Sequence, residues 1–419
     1  MFKFLLFAVL ATVALARRSP HADYIEELYK QNEGRYSSNV IEDALLDVPG
    51  LLLKYGYPIE IHKVITEDNY VLEAHRIPHG RGQLYDPNRP IVFVMHGLLS
   101  SSADFLVLGP GSGLGYILAD AGYDVWLGNA RGSYYSRQHL YLNPDQLGNA
   151  DFWKFTYDEI GNIDLPSFID YILDVTGKTQ LHYIGHSQGC TTFLILNSLR
   201  PEYNEKFLSF QALAPAAYFI YNDFDFFKFA APYEAPVTYI NYNYLGLGEF
   251  LGNREALTWV AVNLCNEDGP IYRICQKIMS LESVGHVNTT ITPIILGHTP
   301  AGASIRQLAH FGQAVNTKLF RRYSHRPIEN IELYGSPVPP AYDVSQVTVP
   351  VHLYHGLGDY VTNSSDILYL AQQLNNVIGV KEVERPSFTH FDFIWGIDAK
   401  ELVYDDVVAV LDEVEANKK

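Results

Sequence analysis

Short apolar runs punctuate the first half of the chain at 91–95, 123–127 and 181–184, and each leads into a glycine-containing turn. Ile91, Val92, Phe93, Val94 and Met95 include no polar residue, the pattern of a strand buried on both faces of a parallel sheet. Ahead of it, 57–66 alternates as a half-exposed strand does, Glu67, Asp68 and Asn69 supply a turn, and 70–77 returns as the hairpin partner. Between the apolar runs the period lengthens. Residues 114–121 read as a helix, and so do 158–176, with Ile160, Ile163, Phe168, Ile169 and Ile172 on the apolar face despite Pro166 near the middle. Strand and helix therefore alternate, which predicts right-handed crossovers, a mostly parallel sheet and an α/β fold.

The alternation stops at Tyr218 and resumes after Tyr342. The start of that stretch is crowded with rings: Phe219, Phe224, Phe226, Phe227, Phe229, Tyr233, Tyr239, Tyr242 and Tyr244. We expect an inserted, mainly helical cap over 218–342, between a first core part at 45–217 and a second at 343–419. Most of these rings would form the cap's own core, and roughly a third would line an apolar cleft.

At the other end, Lys3 precedes an unbroken apolar or small run that closes on Ala14, Leu15 and Ala16, the layout of a cleaved signal peptide over 1–16. Residues 17–44 follow as an N-terminal arm or propeptide. No later run reaches the roughly 18 apolar residues of a membrane helix, so no transmembrane anchor is expected. The signal implies secretion, to the extracellular space or gut lumen, with the lysosome as another destination of the same route.

Composition narrows the partners. The 419 residues carry a formal charge of −17, which argues against nucleic acid. Three cysteines are too few for a disulfide-built scaffold; Cys265 and Cys275 are close enough in sequence to bridge, leaving Cys190 as a buried thiol. The sequons at Asn288 and Asn363 suit glycosylation on the secretory route.

The chemistry centres on Gly185-His186-Ser187-Gln188-Gly189. A strand before this G-x-S-x-G pattern and a helix-compatible run after it describe a nucleophile elbow, with Ser187 at the tip and glycines where strand and helix approach closely. A glycine–serine turn without chemistry has the same letters; the flanking patterns favour the elbow. Such a serine needs an acid and then a histidine, in that order, farther along the chain. Asp359 follows the strand-like run 349–355, where carboxylates of open α/β sheets act. His390 follows a last short strand at 380–384. His352 and His355 lie within a strand before the acid, and Asp392 and Asp398 come after the histidine, so these rivals break the order, while Asp366 belongs to the next helix. The turn His96-Gly97-Leu98-Leu99 ends the apolar strand at 91–95, where the Leu98 N–H would join that of Gln188 in an oxyanion hole.

The residues 96–99, 119–132 and 181–189 together closely resemble the acid lipase family, whose members include gastric, lysosomal and insect digestive lipases. The likeness extends from about Leu51 to Asp412. It implies an α/β-hydrolase core, an inserted cap, and hydrolysis of neutral lipid esters at a lipid–water interface, without metal or cofactor. It also places the acid at Asp359 and the base at His390. The stretch 239–253 departs from the family, as does the absence of a cap cysteine near Ala256, so Cys265 pairs with Cys275 or stays free. Two other readings remain on the sequence alone: a secreted carboxylesterase acting on smaller or polar esters, and a lipid-binding protein without catalysis.

Overall fold

The computed structural model describes residues 38–146, 148–222, 225–252 and 286–418. Eight strands form one sheet: β1 (Glu60–Ile65), β2 (Val71–Ile77), β3 (Ile91–Met95), β4 (Asp124–Asn129), β5 (Leu181–His186), β6 (Phe207–Leu213), β7 (Val351–His355) and β8 (Val377–Glu382). Their order across the sheet is β1-β2-β4-β3-β5-β6-β7-β8. The hairpin expected at the start is β1 with β2, in register from Glu60 opposite Arg76 to Ile65 opposite Val71. From β4 onward every neighbouring pair is parallel. The sheet is therefore mostly parallel, as the alternation of strand and helix predicts.

Strand β3 shows why an uninterrupted apolar run sits at the centre. Ile91, Phe93 and Met95 enter one hydrophobic core together with Phe168, Tyr183 and Phe193, while Val92 and Val94 enter a second with Leu127, Ile184 and Tyr354. Side chains alternate across a strand, so an all-apolar strand needs a core on both faces. One core lies under the helices that precede and follow β5; Phe193 stacks on Phe210 at 3.9 Å between ring centres.

The single helix expected at 158–176 is broken in a particular way. A short helix at Tyr157–Glu159 widens into a π-type turn at Ile160–Asp164 and continues as a helix from Leu165 to Thr176. Pro166 thereby falls in the first turn of the last segment, where its missing N–H leaves little unpaired. Gly177 closes that helix in the left-handed conformation at φ 66°.

The N-terminal segment read as an arm is helical at its end. Ser38–Leu45 packs on Thr292–His298: the His298 Nε2–H donates to the Asp43 carbonyl at 3.0 Å, and a Cβ on Gly297 would lie 2.6 Å from the Ala44 carbonyl oxygen. The chain between β6 and β7 carries further helices at Glu234–Ile240, Ile305–Thr317 and Pro327–Tyr334. Of the rings named for that stretch, Phe219 is buried, Phe229 and Tyr242 are half-buried, and Tyr233, Tyr239 and Tyr244 are exposed among the described residues; the side chains of Phe224, Phe226 and Phe227 lie outside those described. Cys265 and Cys275 lie outside the described residues; Cys190 is buried with its thiol against the Gly185 carbonyl.

Candidate active site

Strand β5 ends at His186 and the next helix begins at Gln188, leaving Ser187 alone on the turn with φ 54° and ψ −115°. That conformation costs a non-glycine residue about 1–3 kcal/mol and persists only where neighbours impose it. Here the Ser187 N–H donates to the Leu213 carbonyl of β6, and the Ser187 carbonyl accepts from Cys190 N–H, both at 3.0 Å. The flanking glycines have separate duties. A Cβ on Gly185 would lie 2.7 Å from backbone atoms of Gly189 and Cys190, the close approach of strand to helix; one on Gly189 would lie 2.2 Å from the Met95 carbonyl oxygen at the end of β3.

The turn after β3 comes against the serine. A Cβ on Gly97 would lie 3.1 Å from the Ser187 Cβ, so the peptide leading to the Leu98 N–H runs alongside Ser187. Leu99 is held at φ 62°, and its carbonyl accepts from Ala301 N–H at 2.6 Å. His96 shapes the turn from inside: Nδ1–H donates to the Gly97 carbonyl at 2.7 Å and Nε2 accepts from Ala130 N–H at 3.1 Å. Burial lowers its pKa to about 4, so it stays a neutral structural ring.

Asp359 and His390 arrive on loops from the far side of β6. Gly358 N–H donates to the Phe388 carbonyl at 3.1 Å, which fastens the two loops together. Asp359 Oδ1 accepts from the N–H groups of Val361 and Thr362, each at 2.8 Å. Its Oδ2 accepts from Thr362 Oγ1 at 2.7 Å and from His390 Nδ1–H at 2.8 Å. With Nδ1 committed to the acid, Nε2 is the nitrogen left to accept a proton. Asp359 and His390 are 4% and 3% exposed, which keeps the pair out of bulk water.

The rivals are occupied elsewhere. Asp392 takes the Thr389 N–H and Arg385, Asp398 also takes Arg385, and His355 pairs with Ser364. Asp366 belongs to the helix Ser364–Gln373, and its carboxylate accepts from Ile220 and Tyr221 N–H, pinning the start of the inserted stretch.

Three neighbours of the site were missed in the sequence. Thr362 bonds the acid as described. His186 Nε2–H donates to the His390 carbonyl at 3.1 Å, so the residue before the serine carries the backbone of the histidine loop; burial, with His390 and His96 nearby, drives its pKa well down and keeps it neutral. Gln307, from the helix Ile305–Thr317, donates Nε2–H to Gln188 Oε1 at 3.0 Å. Asp359 Oδ1 accepts N–H groups two and three residues on, an Asx-type turn that brings Thr362 to the carboxylate; an aspartate just past a strand end is the local cue for such a turn.

A serine on a strained turn, two N–H groups beside it and a carboxylate-bound imidazole can carry out acyl transfer. The matches with known proteins agree. Residues 48–109 match the model of a partial α/β-hydrolase lipase region, and 90–232 match that of the α/β-hydrolase fold. Lipase 1 of Drosophila melanogaster is 40% identical over 381 residues, covering 90% of this chain and 82% of the relative. Gastric triacylglycerol lipase of Bos taurus is 36% identical, covering 88% and 92%. The chain belongs to the acid lipase family. It is a carboxylic ester hydrolase of the lipase type. Lipase 3 of Drosophila melanogaster, at 39% identity over 86% of this chain and 91% of the relative, is a further member. Among solved structures, a bacterial membrane phospholipase A with 15% identity and a TM-score of 0.50 covers 99% of each chain and shares the fold alone.

Of the remaining sequence candidates in this acid lipase, Asn288 is exposed, and Asn363 caps the helix Ser364–Gln373 by accepting from Ser365 N–H at 2.8 Å. No helix among the described residues is long and apolar enough to cross a membrane.

Proposed function

We propose that the protein is a secreted lipase that hydrolyses triacylglycerol, with Ser187, His390 and Asp359 as its catalytic residues. The observation that carries the roles is the 2.8 Å bond from His390 Nδ1–H to Asp359, in a chain whose turn after β3 brings Gly97 against Ser187. The names of the gastric relatives support the substrate, and the apolar leader at 1–16 supports secretion.

Ser187 Oγ attacks the ester carbonyl while His390 Nε2 takes its proton. The N–H groups of Leu98 and Gln188 hold the oxyanion, and Asp359 stabilises the imidazolium. The tetrahedral centre then expels the glycerol oxygen, which receives the proton from His390, leaving an acyl-serine. Water, giving its proton to His390, attacks that ester; collapse releases the fatty acid and returns the proton to Ser187. The cap would occupy 218–342, supplying the apolar surroundings of the acyl chain.

The test compares initial rates on emulsified trioleoylglycerol, cholesteryl oleate and a short soluble ester for the secreted protein and its Ser187→Ala variant. Trioleoylglycerol turnover that vanishes in the variant is the expected result. Turnover of the soluble ester alone would replace the lipase substrate with small polar esters, and turnover retained by the variant would remove Ser187 from the reaction.

A further inference from the structure

Asp104 stands outside the triad and outside every motif noted in the sequence. It lies in the short turn Ser102–Phe105 that follows the oxyanion turn, and it is 2% exposed. Its Oδ2 accepts the Ser100 hydroxyl, and its Oδ1 accepts the Thr299 hydroxyl at 2.7 Å. The Trp395 indole N–H, which makes no hydrogen bond of good geometry, faces the same carboxyl as a weak donor. Three parts of the molecule meet at this one side chain. Ser100 continues the turn of Leu98 and Leu99, Thr299 lies beside Ala301 whose N–H grips the Leu99 carbonyl, and Trp395 ends the short helix Asp392–Trp395 just after His390.

We propose that Asp104 is a positioning residue of the active site: packed against the helix after His390, it ties the oxyanion turn to the 299–301 stretch, and so fixes the direction of the Leu98 N–H. The proposal rests on the reading of Leu98 as an oxyanion donor. Leu99 shows why such a tie is needed. At φ 62° it sits where a branched residue is strained by roughly 1–2 kcal/mol, and a turn so strained holds its shape only if both ends are fastened. Ala301 fastens the Leu99 carbonyl, and Asp104 fastens Ser100.

Among the described residues no cation pairs with this carboxyl. Titratable groups on the elements packed against its turn are engaged elsewhere: His298 with the Asp43 carbonyl, Asp392 with Arg385, Asp124 with Arg76, Asp120 with the Tyr57 hydroxyl, and His75, which bonds Ser102, with Glu73. Tyr116 is a buried neutral phenol. Tyr404, whose hydroxyl donates to the Phe393 carbonyl at 2.6 Å, is pushed up by burial and then by the Asp104 charge. Burial raises the Asp104 pKa to about 6, against the bonds from Ser100 and Thr299 and the weaker pull of the nearby Trp395 N–H. The neutral acid keeps its links: its O–H donates to Ser100 Oγ, and the Ser100 proton turns to the Ser101 carbonyl, 3.4 Å away. The folded pKa exceeds the unfolded value of about 3.9, so the native state binds the extra proton between about pH 4 and 6. Below about pH 6 the native site carries no buried charge, and above it the turn must hold an anion with two hydroxyl donors and the weak Trp395 N–H.

The test reads kcat, KM and Tm at pH ~5 and pH ~7.5 for wild type, Asp104→Asn, Asp104→Ala and Ser187→Ala on emulsified trioleoylglycerol. Asparagine mimics the neutral acid, donating to Ser100 and accepting from Thr299. The expected result is a ratio of kcat at the lower pH to kcat at the higher pH that is several-fold smaller in the Asn variant than in wild type, with KM little moved and a Tm that declines less as pH rises. Asp104→Ala, which cuts the tie, is expected to lower kcat by about 10²-fold. Superimposable pH profiles and Tm slopes for wild type and the Asn variant would overturn the proposal, whether or not the Ala variant folds. Loss of turnover in Ser187→Ala is read separately, so failure of the triad assignment and failure of the Asp104 assignment give different results.

Discussion

Replacing Asp359 by asparagine changes one atom of the side chain and leaves its shape alone. The Oδ1 that accepts Val361 and Thr362 N–H survives, so the loop keeps both 2.8 Å bonds. The change falls on Oδ2, which accepts the Thr362 hydroxyl at 2.7 Å and His390 Nδ1–H at 2.8 Å. An amide NH₂ in that place turns its donor toward the donor on Nδ1. His390 relieves the clash by moving its proton to Nε2, and the lone pair that should deprotonate Ser187 is gone. The same exchange in a serine protease triad costs about 10⁴ in kcat, which at 1.36 kcal/mol per decade is roughly 5.5 kcal/mol of transition-state stabilisation. Folding loses less, about 1.5–3 kcal/mol for the charge-assisted bonds. Initial rates on emulsified trioleoylglycerol measure the first quantity and thermal unfolding the second; KM should hardly move. A variant that keeps kcat within about tenfold of wild type would refute the assignment of Asp359, because no other carboxylate among the described residues bonds His390.

Two further outcomes follow from single contacts. Gly97→Ala places a Cβ 3.1 Å from the Ser187 Cβ and 3.3 Å from His186 Nδ1, so the oxyanion turn must retreat; kcat should fall by about 10²-fold at nearly constant KM, as steady-state rates with both parameters resolved would show. Glu234, on the inserted stretch, has an unpartnered buried Oε2 and a pKa raised by burial to about 7. Because the folded state binds the extra proton, Glu234→Gln should leave Tm unchanged below about pH 4.5 and raise stability at pH ~7.5 by about 1 kcal/mol, after discounting for partial exposure. Thermal melts at the two pH values check the sign.

The fold was legible because its signal is redundant. Strands β3, β4 and β5 are buried along their whole length, and the two cores that meet at the all-apolar β3 leave no other role for such a run. Asp359 and His390 could be picked because chain order and strand ends limit the choice, and the structure brings them within hydrogen-bond reach. Ring content was a poorer guide. Tyr233, Tyr239 and Tyr244 share the composition of a core but sit on the outside, since a tyrosine in a helical stretch says nothing of the face it occupies. Pro166 was read as an irregularity inside one helix, whereas the π-type turn before it moves the proline to a helix start; that extra residue in the turn leaves no trace in the hydrophobic period.

What the sequence hides is which residues hold the reacting ones in place. Gln307 and Asp104 each bond a residue close in space and distant in the chain: Gln188 beside the serine for the first, Thr299 for the second. Neither lies in a motif, because a motif records residues adjacent along one turn. Yet both act where strain is stored. Ser187 and Leu99 are non-glycine residues at positive φ, and each is braced from another element, Ser187 by Leu213 and Leu99 by Ala301. The 299–307 stretch braces both sides of the site at once, through Ala301 and Thr299 on the oxyanion turn and through Gln307 on the elbow. On the proposed oxyanion assignment, a shift of that stretch would move the Leu98 and Gln188 N–H groups relative to each other, so substitutions at Thr299 or Gln307 are expected to lower kcat in steady-state assays with KM little moved.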